Sequence, residues 1–225
     1  LALDGKGGFV LGDIGCYSLG MGPSGFGQMK TLHAMGSGAG LACGFGQLNR
    51  FGLEQPVLAV CGDSTFYHAA MPALANAYYN GASFLLLLLD NSATAMTGFQ
   101  PHPGTGMTAT GNEAPVIDLK AICEVFGARV EVVDPFDVAT TVETLLRLLE
   151  DKKGVKVLIL KRECALVSAK HQKRIYKVEV DTKRCLGESC GCNRLCTRIF
   201  KCPGLMWDKE TGKVRIDEAI CTGCG

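Results

Sequence analysis

Val57-Leu58-Ala59-Val60-Cys61-Gly62-Asp63-Ser64 and Phe84-Leu85-Leu86-Leu87-Leu88-Leu89-Asp90-Asn91-Ser92-Ala93 decide how this chain folds. Each is an apolar run of strand length closed by small polar residues. Short runs without polar alternation read as strands buried on both faces, the pattern of a parallel sheet. Asp63 and Asn91 stand 28 positions apart, each just past one run (91 − 63). In an open α/β sheet, ligands collect outside the carboxyl ends of the strands. A hard cation such as Mg²⁺ takes oxygen ligands and commonly shares them with phosphates. One carboxylate, one amide oxygen and a nearby main-chain carbonyl at two neighbouring strand tips therefore point to Mg²⁺ on a diphosphate.

Outward from these runs, strands and helices alternate, which implies a parallel sheet covered on both faces, an α/β fold. The spacing predicts strands over residues 57–61, 83–89, 130–133 and 155–161. Helices are expected over 67–79, 117–126 and 137–150, the last with Asp137 near its N-cap. Residues 31–48 are rich in glycine and alanine. Leu32, Met35, Ala39, Ala42 and Phe45 nevertheless keep a helical period, so a helix is expected there, its small face open to a second backbone or a cofactor. Residues 9–27 are dense in glycine and read as turns close to a ligand. The polar connection over 91–115 is long enough to suggest a functional loop.

Composition sets the outer limits. The chain has 225 residues, 47% hydrophobic and 20% charged, with a net charge of +1, which gives no reason to expect nucleic acid or an anionic membrane as partner. Its apolar runs fall far short of the roughly 20 residues of a membrane span. Five of the twelve cysteines are scattered over the first part, and seven crowd between Cys185 and Cys224. That distribution is unlike a small secreted disulfide scaffold and reads as metal-bound thiolates in a reducing, cytoplasmic compartment. Residues 1–169 are expected to form the diphosphate-binding domain, 170–183 a polar basic linker, and 184–225 a small cysteine-rich domain that apolar burial alone would not fold. The start at Leu1 and the end inside Cys221-Thr222-Gly223-Cys224-Gly225 read as a piece of a longer polypeptide.

Several words of the sequence carry a family resemblance. They are Gly12-Asp13-Ile14-Gly15-Cys16-Tyr17, Thr31-Leu32-His33-Ala34-Met35-Gly36, Gly62-Asp63-Ser64, and Asp90-Asn91-Ser92-Ala93-Thr94-Ala95-Met96-Thr97-Gly98-Phe99-Gln100-Pro101. The Asp63–Asn91 spacing is similar to the thiamine diphosphate motif, with serine in place of its third glycine. The whole set resembles the 2-oxoacid:ferredoxin oxidoreductases, and within them the branch acting on indolepyruvate. The resemblance implies that Asp63 and Asn91 ligate Mg²⁺ through side chains and Ala93 through its carbonyl. It implies that Gly62, Ser64 and Thr65 face the diphosphate, with Thr94, Ala95, Met96 and Thr97 around its other side. Gly15, Cys16, Tyr17, Met35 and Gly36 would border the thiazolium and pyrimidine, and His33 and His68 would stand nearest the reacting carbon as catalytic residues. The glutamate that activates the aminopyrimidine in such enzymes would come from a separate domain or a partner chain.

The tail is read from its spacing and from the same resemblance. Cys185, Cys190, Cys192, Cys196 and Cys202-Pro203 precede Cys221 and Cys224. Bacterial-type ferredoxins use closely spaced cysteines and a final Cys-Pro whose thiolate serves the other cluster. A truncated ferredoxin-like fold with 4Fe-4S ligands among these seven is expected, one of the first four being spare. A Cys₄ zinc site is the competing reading. The resemblance implies oxidative decarboxylation of an aryl 2-oxo acid to an acyl-coenzyme A, electrons passing through the clusters to ferredoxin, with a beta subunit as partner. Pyruvate or a branched-chain oxo acid is the nearest alternative substrate. A non-redox thiamine diphosphate decarboxylase or acetolactate synthase-like enzyme would have no use for clusters, and a non-catalytic electron-transfer module would have no use for Asp63 and Asn91.

Overall fold

A computed structural model describes residues 7–23, 27–171, 177–200, 202–221 and 223. The chain divides into two compact units, Leu1–Cys164 and Ala165–Gly225. The first is built on a five-stranded, all-parallel sheet. Its strands are β1 (Phe9–Leu11), β2 (Val57–Gly62), β3 (Phe84–Asp90), β4 (Arg129–Val133) and β5 (Val155–Lys161), in the order β1-β2-β3-β5-β4. β5 lies between β3 and β4, so the two apolar runs that opened the sequence reading are neighbours in the middle of the sheet.

The alternation of side chains along a strand sorts the core into two layers. Ala59 and Cys61, Phe84, Leu86 and Leu88, and Val157 and Ile159 face one side. There they pack against α1 (Ser37–Phe45), the helical stretch α2 (Asp63–Thr65) to α3 (Met71–Asn80), and α4 (Leu119–Val125). Leu58, Leu85 and Leu158 face the other side and pack on Leu148 of α5 (Val138–Glu150). Asp137 caps α5, its carboxylate accepting the Thr140 N–H at 3.1 Å, and Asp118 caps α4 by accepting that of Ala121 at 2.6 Å.

The helix expected over 31–48 is shorter: α1 covers Ser37–Phe45 only. Gly36 takes φ 84°, a left-handed conformation that cannot continue a helix, and residues 31–36 run as irregular chain. The apolar period there marks no helix: Leu32 is half-buried and Met35 exposed. The small residues of α1 serve close approach to the sheet. A Cβ on Gly38 would stand 2.9 Å from the Gly12 carbonyl oxygen and 3.0 Å from that of Leu11, so α1 begins against the backbone at the tip of β1. The segment read as turns contains a strand, β1, with a 3₁₀ turn at Cys16–Met21 behind it. The helix expected over 67–79 starts earlier, at Asp63, and passes through a π turn at Phe66–Ala70.

The second unit holds α6 (Ala165–His171), a 3₁₀ turn at Gly187–Cys190, a π turn at Cys196–Phe200, and a hairpin of β6 (Leu205–Asp208) and β7 (Lys213–Ile216). α6 occupies the first residues expected to be linker, and residues 172–176 of that linker lie outside the described residues. The hairpin was not anticipated, because four-residue strands carry too little pattern to stand out. Among the described residues no helix is long and apolar enough to cross a membrane.

Two glycines of one segment respond oppositely to alanine. Gly36→Ala meets a left-handed φ and the Ala69 carbonyl oxygen at 2.9 Å, and costs about 1–3 kcal/mol. Gly40→Ala falls on an exposed helical position with open space around it and adds about 0.5–1 kcal/mol. Urea unfolding of the full-length protein separates them; midpoints moving the same way contradict this account.

Candidate functional site

Three neighbouring strand tips form the site. The register pairs Gly62 of β2 with Leu89 of β3, so the next residues, Asp63 and Asp90, sit side by side at the edge of the sheet. Asp63 is 2% exposed. Its Oδ1 accepts the Ser64 N–H at 2.7 Å, and its Oδ2 accepts those of Asn91 at 3.1 Å and Ser92 at 2.8 Å. His102 Nε2 stands 3.1 Å from the same Oδ2. Among the described residues no lysine or arginine pairs with this carboxylate. Main-chain donors hold a buried anion here, and an anion held without a cation suits a divalent ion.

The loop after β3 is folded around that carboxylate. Asn91 Oδ1 accepts the Ala93 N–H at 3.1 Å, and Ser92 takes a left-handed φ of 58° between them. Asp90 Oδ1 accepts the Ser92 N–H at 3.2 Å, and its Oδ2 lies 3.4 Å from Lys161 Nζ. The Thr94 hydroxyl donates to that of Ser64 at 2.9 Å, joining the loop to the start of α2. A miniature hairpin follows, with Thr94 paired to Gln100 around a 3₁₀ turn at Ala95–Thr97. The hard oxygen donors of Asp63, Asn91 and Ala93, with the hydroxyls of Ser64 and Thr65 beside them, fit Mg²⁺ and a phosphate.

The third tip belongs to β1. Asp13 is fully buried and draws in three N–H groups: Ile14 at 2.7 Å, Gly36 at 2.9 Å and Gly38 at 3.1 Å. Burial pushes its carboxyl above the usual range, partly offset by those donors. Tyr17 ties β1 to β2. Its hydroxyl donates to the Ile14 carbonyl at 3.0 Å and accepts the Gly62 N–H at 2.9 Å. Gly62 lies past the last β1 pairing, Leu11 with Ala59, so the phenol completes what the short strand leaves open. Burial raises the Tyr17 phenol, which stays protonated.

The structure brings Gly62, Asp63, Ser64, Thr65, Asn91, Ala93 and Thr94 together, and sets Tyr17 against Gly62 and Gly36 against Asp13. Gly15 precedes the Cys16 turn in extended backbone. Ala95 and Thr97 sit on the miniature hairpin. Cys16, His33, Met35, His68 and Met96 are exposed, and none makes a hydrogen bond or ion pair among the described residues. Two residues were missed. Asp13 lay inside a quoted word without a role. His102 lies one position past the quoted Pro101, between two prolines in the long loop, and nothing in its spacing marks it.

In the second unit, Cys221 packs beside Gly204. Gly204 follows Cys202-Pro203, and a Cβ on it would lie 3.2 Å from Cys221 Cβ. Cys190 Sγ lies 3.4 Å from the Cys192 amide nitrogen. Main-chain N–H groups of Val214 and Gly187 hold the Cys185 thiol below its ordinary pKa. Among the described residues no three cysteine, histidine or acidic side chains gather as a metal-holding group, and Cys224 lies outside them. Cys196 is half-buried.

Comparison with known proteins places these features. Residues 13–160 match the model of the thiamine pyrophosphate enzyme C-terminal TPP-binding domain. The chain is 40% identical over 232 residues to indolepyruvate oxidoreductase subunit IorA of Thermococcus kodakarensis, covering 95% of this chain and 34% of that protein. It is 38% identical over 228 residues to the same subunit of Pyrococcus horikoshii, with the same coverages. The chain thus spans about a third of the length of the curated relatives it matches. A solved 2-oxoglutarate:ferredoxin oxidoreductase from Magnetococcus marinus superposes with a TM-score of 0.59 at 18% identity, over 72% of this chain and 56% of that one, a likeness of fold.

The phenol of Tyr17 gives this site a direct test. Tyr17→Phe leaves the Gly62 N–H and the Ile14 carbonyl without their partner, and costs about 1–3 kcal/mol. Hydrogen exchange at Gly62 rises with the loss of that bond; unchanged exchange in a folded variant contradicts the tie between the two tips.

Proposed function

The chain belongs to the thiamine pyrophosphate enzyme C-terminal TPP-binding domain family, and from that premise we propose that it is the diphosphate-binding part of a 2-oxoacid:ferredoxin oxidoreductase acting on indolepyruvate and related aryl 2-oxo acids. The observation that carries the reading is the Asp63 carboxylate, buried at the tip of β2 and bonded to the N–H groups of Asn91 and Ser92 at the tip of β3. Asp63, Asn91 and the Ala93 carbonyl hold Mg²⁺. Ser64, Thr65 and Thr94 give hydroxyls to the diphosphate, and Gly62 lets it approach the turn. When bound, thiamine diphosphate supplies the nucleophilic carbon for the 2-oxo acid and the sink for the electrons of decarboxylation.

The other residues shape the space around that chemistry. Tyr17 and Asp13 hold the β1 tip and residues 34–38 in place. Gly15, Cys16, Met35 and Gly36 border the rings, with Ala95, Met96 and Thr97 across from them. The exposed imidazoles of His33 and His68 are free to orient the substrate carboxylate and move a proton. The glutamate that activates the aminopyrimidine comes from outside this chain. Cys185, Cys190, Cys192, Cys196, Cys202, Cys221 and Cys224 would supply the thiolates of 4Fe-4S clusters, which would give the enzyme a one-electron route to ferredoxin, with coenzyme A as the acyl acceptor. The packing of Cys221 against Gly204, two residues after Cys202, and the N–H groups turned toward Cys185, support thiolate ligation in this unit. A beta subunit completes the enzyme, which works in the reducing cytoplasm.

Two measurements test the reading. Asp63→Ala in the full-length protein abolishes Mg²⁺-dependent binding of thiamine diphosphate in titration calorimetry; unchanged affinity rejects Asp63 as a ligand. The complete complex, given coenzyme A and ferredoxin, reduces ferredoxin faster with indolepyruvate than with phenylpyruvate or pyruvate. A clear preference for pyruvate removes the aryl assignment and leaves the cofactor site standing.

A further inference from the structure

His102 lies in the loop between β3 and α4 and is 5% exposed. Its ring is held from two sides and its main chain from a third. Gly104 donates its N–H to Nδ1 at 3.1 Å, which leaves Nε2 as the proton-bearing nitrogen. Tyr67 stacks on the imidazole with centroids 5.4 Å apart and planes at 29°, and its hydroxyl is anchored on the Ile117 carbonyl at 2.6 Å. The Thr105 hydroxyl and amide both donate to the His102 carbonyl, at 2.8 and 2.9 Å.

So held, the ring brings Nε2 to 3.1 Å from Asp63 Oδ2, yet its N–H is not aligned on that oxygen and finds no other acceptor. A buried donor left this way asks for an explanation. The carboxylate suggests one. Oδ2 accepts from Asn91 and Ser92 and faces His102, whereas Oδ1 holds the Ser64 N–H alone. With one donor against the three groups gathered at Oδ2, Oδ1 is the less occupied oxygen.

We propose that His102 is the positioning residue of Asp63: its Nε2–H closes on Oδ2 and so presents Oδ1 to the divalent ion. The proposal rests on the reading of Asp63 as a ligand of that ion. The imidazole touches neither substrate nor cofactor and acts through the carboxylate alone. Histidine suits this because a ring pinned at Nδ1 and stacked on Tyr67 offers one donor in one direction.

Mn²⁺ serves as the probe, its binding to the full-length protein read from the paramagnetic resonance of the free ion with thiamine diphosphate at saturation. His102→Phe keeps a ring on Tyr67 and removes the donor, and weakens Mn²⁺ binding about tenfold or more. His102→Gln returns an N–H near the place of Nε2 and recovers affinity to within about threefold of the parent, a smaller loss than outer-shell mutations typically cause. Melting of the metal-free proteins reports packing separately. Parent-like Mn²⁺ affinity in His102→Phe overturns the proposal, as does an equal loss in both variants. Should His102→Phe fail to fold, His102→Gln decides alone: near-parent affinity supports the proposal, and a tenfold loss overturns it. Asp63→Ala separates the two readings. If it binds Mn²⁺ like the parent, the ligand assignment falls and His102 with it; if it loses Mn²⁺ while His102→Phe does not, the role of His102 alone is rejected.

Discussion

Everything at the ligand edge of the sheet depends on how one buried carboxylate is kept. Removing a carboxylate from water costs several kcal/mol unless donors or a cation replace the lost hydration. Asp63 is met by the N–H groups of Ser64, Asn91 and Ser92. Those donors come from two strands, so satisfying the charge also fixes the tip of β3 against the tip of β2. The loop beyond β3 inherits its position from that bond. Ser92 accepts a left-handed φ within it, a strain of the kind that clusters at ligand sites.

Asp13 applies the same device one strand over. Its carboxylate gathers N–H groups from Ile14, Gly36 and Gly38, and so pins residues 34–38 to the end of β1. The consequence for packing is direct. With Gly38 against the Leu11 and Gly12 carbonyls, α1 has no room for a side chain at that position of its first inward turn. The smallness expected to admit a cofactor or a second backbone admits, at this turn, the backbone of β1. Two aspartates that follow glycines in nearly identical words thus differ in what they organise: one anchors a helix, the other a loop.

The middle of the sheet was legible because its pattern is physical and local. The Phe84–Leu89 run has strand length and no polar alternation, and the polar Asn91 and Ser92 beyond Asp90 leave the sheet. Asp63 and Asn91 could be placed for the same reason, both standing just past unmistakable strands, whereas Ser64 and Thr94 were assigned only through the family resemblance. What escaped depended on distant contacts. β1 is three residues long and lies among glycines, so its pairing with β2 overrides a local preference for turns. Gly36, with its left-handed φ, keeps Leu32 and Met35 out of the helix that their spacing suggested. His102 owes its position to Tyr67, Gly104 and Asp63, and no spacing rule joins residues 63, 67 and 102.

The cysteine-rich unit shows the same limit from the other side. Among its described residues Val214 carries the one buried apolar side chain, far less than a core needs to order sixty residues. A hairpin of two four-residue strands is marginal by itself. It does, however, return the chain so that Cys221 lies against Gly204, next to Cys202-Pro203. Backbone N–H groups meanwhile face the sulfur of Cys185. The hairpin thus orders the chain around Gly204 and Cys221 by backbone contact rather than by a core, because the apolar surface buried among the described residues is too small to do so.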